Sequence, residues 1–287
     1  MSRLQKIRAY TLKEIFNLVL FKATNFFSID IFNSKDLWQY SKAVSNLISI
    51  GYDVIRKNEK IIQISINKER YLIRRYGSDL KVFEQIIIRG EYNHILNLIK
   101  KAGLANSELN IVDCGSNIGL FSVWIMNKAK VKKIISVEAD KENYSFNNYF
   151  IHKINFENKI QLLNRAIWSN SSLVLGVSNQ FRDGLQWAKS VVPTVDFDQE
   201  TVCSISLNQI LDDFIDQQVD VLKIDIEGAE NVVFGNLDSC DRMLRNTKII
   251  AIEIHKEWDS TCEILEILQN YGFVLEEFGE TTFGYKV

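Results

Sequence analysis

Two groups of residues in this chain have types and spacings that can do chemistry together. The first begins with the apolar run Leu109-Asn110-Ile111-Val112, which ends in Asp113 and Cys114 and is followed by Gly115-Ser116-Asn117-Ile118-Gly119. An acid at a strand end, then Gly-x-x-x-Gly, then a helix, forms a loop for a nucleotide-type ligand. The glycines let the backbone approach closely, and the helix start offers free N–H groups. Glu138 ends the next apolar run, Lys133-Ile134-Ile135-Ser136-Val137, and lies 25 residues after Asp113. A carboxylate there can accept both hydroxyls of a ribose, so loop and acid together indicate an adenosine-containing ligand. The dinucleotide pattern G-x-G-x-x-G fails because position 117 is Asn, and no Gly-Lys-Ser/Thr phosphate loop occurs. A nicotinamide-dependent oxidoreductase is therefore disfavoured.

The second group is Asp225, at the end of Val221-Leu222-Lys223-Ile224, with Glu253 and His255 in Ile252-Glu253-Ile254-His255. Glu253 and His255 are two apart, so both point to one face of a strand. Histidine has the pKa best suited to general base work near neutrality, whereas an aspartate is a weak base unless burial raises its pKa. The expected catalytic set is a shared site of Asp225 and His255, with Glu253 as orienter; either of the first two can be the base, and Asp225 can instead orient the acceptor or the cofactor. Simpler readings exist for the neighbours. Lys223 and Glu253 can form a buried ion pair, and Glu227 and Glu230 can complement a helix dipole. Oxygen-rich ligation suits magnesium, but the spacing demands no metal, and none is assigned.

The elements that must position these residues alternate in type. Strands are predicted over 109–114, 133–138, 159–163, 219–224 and 248–254, and helices over 118–128, 141–153, 206–213, 228–235 and 259–269. That alternation predicts an α/β fold with a doubly wound, mostly parallel sheet. Carboxyl ends of its strands share one crevice, so both groups should face each other there. Residues 272–287 predict an antiparallel edge hairpin. Between 177 and 203, around Arg182, Asp183, Trp187, Pro193 and Phe197, the pattern breaks down, as expected of a long functional connection. The region before residue 76 reads as an accessory unit, with helices over 11–24 and 34–49 and a β-hairpin from 61–66 and 70–73. Two further helices are predicted, around 79–89 and 92–101.

An Asp-x-Gly-x-Asn-x-Gly loop with this acid spacing resembles class I S-adenosylmethionine-dependent methyltransferases, a Rossmann-like fold. The run Val221-Leu222-Lys223-Ile224-Asp225-Ile226-Glu227-Gly228-Ala229-Glu230 resembles the hallmark segment of the FkbM family of methyltransferases. Similar segments are Asn164-Arg165-Ala166-Ile167-Trp168, Ile252 to His255, and Val82 to Ile86 followed by Gly90-Glu91-Tyr92. The likeness runs from about residue 75 to 287. It implies S-adenosylmethionine as cofactor and O-methylation, often of sugar hydroxyls. It implies cofactor contacts from Glu91, Tyr92, Asp113, Gly115, Ser116, Asn117, Glu138, Asn164, Ala166 and Asp225. One departure is Ala139, where a proline commonly follows the ribose-binding acid.

Composition bounds what remains. The chain has 287 residues with 46% hydrophobic and 24% charged, globular values that argue against extensive disorder. A net charge of -2 lacks the positive field of a non-specific nucleic-acid binder, so no nucleic-acid partner is expected. Cys114, Cys203, Cys240 and Cys262 are scattered, without zinc spacing, which reads as reduced thiols in a reducing compartment. No transmembrane segment or signal peptide is evident, and a cytoplasmic location is expected. Phe16, Phe21, Phe26, Phe27 and Phe32 fit core packing better than a membrane surface. The expected partner is a small-molecule or glycan acceptor, with an oligomer allowed. The rival reading is a non-catalytic member of the fold, acting as a binding partner in a biosynthetic assembly.

Overall fold

The computed structural model describes residues 8–12, 14–15, 18, 35–75, 77–178, 190–193, 200–214, 217–255 and 261–286. The chain divides into two compact units, Met1–Phe83 and Glu84–Val287.

In the first unit, helix α1 (Lys35–Ser49) buries Tyr40, Val44, Leu47 and Ile48 along one face. Strands β1 (Asp53–Arg56), β2 (Ile61–Ile66) and β3 (Glu69–Arg74) follow as an antiparallel meander. The hairpin of β2 and β3 is the predicted one. Strand β1 escaped prediction because only Val54 of its four residues is buried, too little for an alternating signal. Buried Arg75 is paired with Glu14 at 2.7 Å and lies over the Tyr40 ring. Most of the expected 11–24 helix, and all five phenylalanines noted above, lie outside the described residues. The single helix expected over 79–89 is instead helix α2 (Asp79–Phe83) and a π-turn over Glu84–Ile88. There the Arg89 N–H reaches back to the Glu84 carbonyl.

The second unit starts with helix α3 (Asn93–Lys101) and strand β4 (Leu109–Cys114). Then come helix α4 (Leu120–Lys128), strand β5 (Val131–Glu138), helix α5 (Lys141–Lys153) and strand β6 (Ile160–Asn164). After an excursion the chain returns through helix α6 (Leu207–Leu211), strand β11 (Val219–Ile224), helix α7 (Glu230–Phe234) and helix α8 (Asp241–Arg245). It ends with strand β12 (Thr247–Glu253), helix α9 (Thr261–Asn270) and strands β13 (Val274–Phe278) and β14 (Thr281–Tyr285). The seven strands lie in the order β13-β14-β12-β11-β4-β5-β6. From β12 to β6 every pairing is parallel, and β14 is antiparallel to both its neighbours. This is the expected doubly wound α/β architecture. Strands buried on both faces, such as Ile111-Val112, Val221-Leu222 and Ile249-Ile250, read as continuous apolar runs for that reason. The strand order reverses between β4 and β11, which places the ligand crevice at their carboxyl ends.

The excursion is the main correction to the sequence reading. Strands β7 (Ala166–Ile167), β8 (Val174–Ser178), β9 (Ser190–Pro193) and β10 (Thr201–Ile205) form a second sheet in the order β7-β10-β8-β9. These strands are two to five residues long, too short to leave a strong periodic signal. Pro193 sits on the edge strand β9, where a missing N–H is tolerated. Arg182, Asp183, Trp187 and Phe197 lie outside the described residues.

Candidate active site

The glycine loop is built around two acids. Asp113, fully buried at the end of β4, accepts a hydrogen bond from the Ser122 hydroxyl at 2.7 Å. Its other oxygen is 3.5 Å from the Lys223 ammonium. Burial raises the Asp113 pKa, and Lys223 works against that rise. The Gly115 and Ser116 N–H groups both donate to the Val137 carbonyl, bending the loop over β5. Gly115 has φ +73°, and a side chain there would run into the Asp225 carbonyl oxygen. Asn117, at φ 49°, donates its N–H to Glu138 Oε2 at 2.7 Å, and the Asp140 N–H donates to Oε1 at 3.0 Å. Glu138 is therefore gripped by two backbone amides. Burial pushes its carboxyl up to about 7, the amides opposing. Two amide bonds leave lone pairs on a carboxylate that can accept four.

Across the switch point lies the second group. Asp225 follows β11 directly, and its N–H donates to the Cys114 carbonyl. His255 is 3% exposed and ringed by carboxylates. Its Nδ1 is 3.1 Å from Glu230 Oε1, and its Nε2 is 3.4 Å from Glu227 and 3.6 Å from Glu253. Burial alone would lower the His255 pKa, but Glu227, Glu230 and Asp225 outweigh it and push it up to about 11. Glu227 and Glu230, one at each ring nitrogen, thus favour the protonated ring. Glu253 is driven up to about 8, first by burial and then by Asp225. Glu227 and Gly228 take successive left-handed conformations, φ 52° and 93°, an uncommon geometry for a glutamate that turns it toward His255.

Lys223 ties the two groups together. It is 3% exposed, donates to the Gly115 carbonyl at 2.7 Å, and stands 3.4 Å from Asp225 as well as 3.5 Å from Asp113. Burial, the largest single influence, would lower its pKa; Asp225 and Asp113 hold it above its ordinary value. Its partners are thus Asp113 and Asp225, and the Lys223–Glu253 pair considered from sequence does not form.

Residues 113–275, more than half of the chain, match the family described as the Methyltransferase FkbM domain. The chain belongs to the FkbM methyltransferase family. Among solved structures it is similar to the methyltransferase FkbM from Methylobacillus flagellatus KT, at 17% identity and TM-score 0.44. That match covers 72% of this chain and 53% of the other, so the chain spans about half the length of that FkbM protein. It is also similar to the N-terminal domain of human METTL16 in complex with SAH, at 12% identity and TM-score 0.41 over 68% of each chain. A third similarity is to M. capricolum TrmK with S-adenosyl-homocysteine, at 11% identity and TM-score 0.35 over 66% of each chain. No curated protein matches.

The remaining residues expected to serve an FkbM cofactor site are placed as follows. Glu91 accepts the Thr281 hydroxyl at 3.0 Å, and its pKa is raised by burial and then by Asp225, so it belongs to the acid cluster rather than to the Glu138 end. Tyr92 is 3% exposed and packs edge-on against Phe121. Asn164 donates its amide to the carbonyls of Glu138 and Ala139, bracing the turn where a proline is absent. Ala166 is buried in the core of the small sheet with Trp168 and Leu175. Ser116 accepts from the Asn147 amide at 3.1 Å. Fully buried Asn147, missed by sequence reasoning, also donates to the Asn117 carbonyl, and its side chain would collide with a Cβ at Gly119. The signal was available: Asn143 and Asn147 are four apart, on the helix face of Phe146 and Phe150.

Proposed function

We propose that this FkbM methyltransferase is S-adenosylmethionine-dependent and methylates a hydroxyl group of a sugar or glycosylated intermediate. The observation that carries the reading is the junction at the switch point. There Lys223 donates to the carbonyl of Gly115 while ion-paired to Asp225. A loop shaped for an adenosine-bearing ligand and a carboxylate suited to an acceptor are thereby held as one piece. The fit to the cofactor rests on Glu138, whose oxygens are fixed by two amides, and on Gly115, where a side chain has no room.

When bound, S-adenosylmethionine supplies a methyl group already activated by its sulfonium. The residues then have three duties. Glu138 binds the ribose hydroxyls, and Gly115 to Asn117 line the rest of the donor. Alignment of the two bound molecules is the largest contribution such a site can make. Asp225 takes the acceptor proton: its side chain is 26% exposed, against 11% for Glu253 and 1% for His255. Glu253 and the imidazolium of His255 position the acceptor beside it.

The test is calorimetric titration of the purified chain with S-adenosylhomocysteine, with NAD as comparison. Saturable binding of the first and none of the second is expected. Failure of the folded chain to bind S-adenosylhomocysteine would overturn the reading in favour of a non-catalytic binding partner.

A further inference from the structure

Helix α5 reaches both oxygens of Glu138. Its cap, Asp140, accepts the Asn143 N–H at 2.7 Å, and the Asp140 N–H donates to Glu138 Oε1 at 3.0 Å. About two turns further along the helix, the Asn147 side-chain amide donates to the Ser116 hydroxyl at 3.1 Å and to the Asn117 carbonyl at 3.3 Å. Asn117 gives its own N–H to Glu138 Oε2 at 2.7 Å. It does so from a left-handed backbone, φ 49°, which non-glycine residues seldom adopt. We infer that Asn147 is a positioning residue of the donor site. By gripping Ser116 and Asn117 on either side of one peptide, it keeps the Asn117 N–H on Glu138 and so fixes the carboxylate that receives the ribose. The inference deepens the methyl-transfer reading and rests on it for the role of Glu138.

The state of the side chain supports this duty independently. Asn147 is fully buried, and its amide nitrogen serves two acceptors, yet its Oδ1 has no hydrogen-bond partner among the described residues. Oδ1 lies against Gly119, where a Cβ would stand 2.2 Å from it. A buried polar atom left unpaired destabilises a fold relative to an apolar group of the same shape. Leucine has nearly that shape, and the neighbouring buried Phe146 and Phe150 make the helix face apolar. The asparagine is thus accounted for by what its N–H groups hold. The charged groups that face Glu138 are Asp140, before α5, which raises its pKa, and Lys223, on β11, which lowers it. The amides of Asp140 and Asn117 lower it too, and the second is the one that Asn147 holds.

The test follows Glu138 itself. In the full chain labelled with ¹³C at its glutamate carboxyls, an NMR titration gives the Glu138 midpoint, the resonance being assigned by its loss in Glu138→Gln. Wild type should titrate at about 7. In Asn147→Leu the midpoint should rise by roughly half a pH unit or more, because a hydrogen bond to the ionised carboxylate is weakened. S-adenosylhomocysteine, titrated calorimetrically at pH 8, should bind this variant about fivefold more weakly or worse. The same substitution made in Glu138→Gln should change binding by less than about twofold, because the path ends at Glu138. Asn147→Ala carries the same expectations if circular dichroism melting shows that Asn147→Leu does not fold. An unmoved midpoint would overturn the inference, and so would equal loss of binding with and without the Glu138 carboxylate, the result expected of a merely structural asparagine. Wild type that binds S-adenosylhomocysteine while the midpoint stays unmoved in the variant would sink the role of Asn147 alone. A midpoint that moves in a chain that ignores S-adenosylhomocysteine would sink the methyl-transfer reading and leave Asn147 as the residue that fixes Glu138.

Discussion

Glu138 and Glu253 end strands β5 and β12, which lie on either side of β4 and β11 in one mostly parallel sheet, and their surroundings differ in kind. Both are nearly buried, at 7% and 9% exposure, and burial raises both. Glu138 is met by the N–H groups of Asn117 and Asp140, whereas Glu253 is met by Asp225, Glu91 and Glu227 as like charges and by His255. The strand places the acid and the adjoining loop decides its use. A carboxylate pinned by amides is a fixed receptor for neutral hydroxyls. A carboxylate set among carboxylates is suited to a positive charge. Lys223 joins the two ends, since its ion pairs reach from Asp113 to Asp225.

Removing that link should have the largest effect. Lys223→Met leaves fully buried Asp113 without its counter-charge, and breaking a buried pair from one side costs about 3–5 kcal/mol. Urea denaturation reads the loss, and Asp113→Asn combined with Lys223→Met should recover part of it. A loss near zero in the single variant would mean that the two ends are not coupled through this side chain. The next effect separates the ends. Glu138→Gln removes charged acceptors from the ribose and should weaken S-adenosylhomocysteine binding about 10- to 100-fold, while Glu253→Gln should change it by less than about threefold. Equal losses in the two variants would erase the distinction between them.

How much of this was legible follows from the range of each interaction. Strands β4 and β11 carry long apolar runs, and their limits were readable to the residue because burial on both faces writes itself into sequence. The small sheet was not readable: its strands are short, and their pairing, as of Val174 with Cys203, depends on partners far along the chain. The site divides in the same way. The glycine loop and Glu138 are local patterns. That Glu230 supports His255 is a contact across 25 residues, and from sequence Glu230 looked like an ordinary helix-start acid. The carboxylates around His255 come from separate segments, Glu227 and Glu230 among them, so no local pattern announces them.

The smallest effect concerns pH, and its sign is distinctive. The Glu138 carboxyl titrates at about 7 in the folded chain, against 4.5 for an ordinary glutamate. Its ionised form is the one that accepts two hydroxyls. Affinity for S-adenosylhomocysteine should therefore rise with pH through 7 and be about tenfold weaker at pH 6 than at pH 8. Stability must move the other way. Because the folded pKa is raised, the folded chain holds this proton where the unfolded chain has lost it, so the Glu138 contribution to stability is complete below about 4.5. It declines as pH climbs to about 7 and is lost above that. Other groups titrate over the same range, so the quantity to measure is the difference between wild type and Glu138→Gln in calorimetry and in urea denaturation. Binding that tightens with pH in wild type and in Glu253→Gln but not in Glu138→Gln assigns the binding effect to the amide-pinned acid; the stability slope is shared with Glu253, itself raised to about 8. A binding slope that persists in Glu138→Gln would assign the effect to the acid cluster instead.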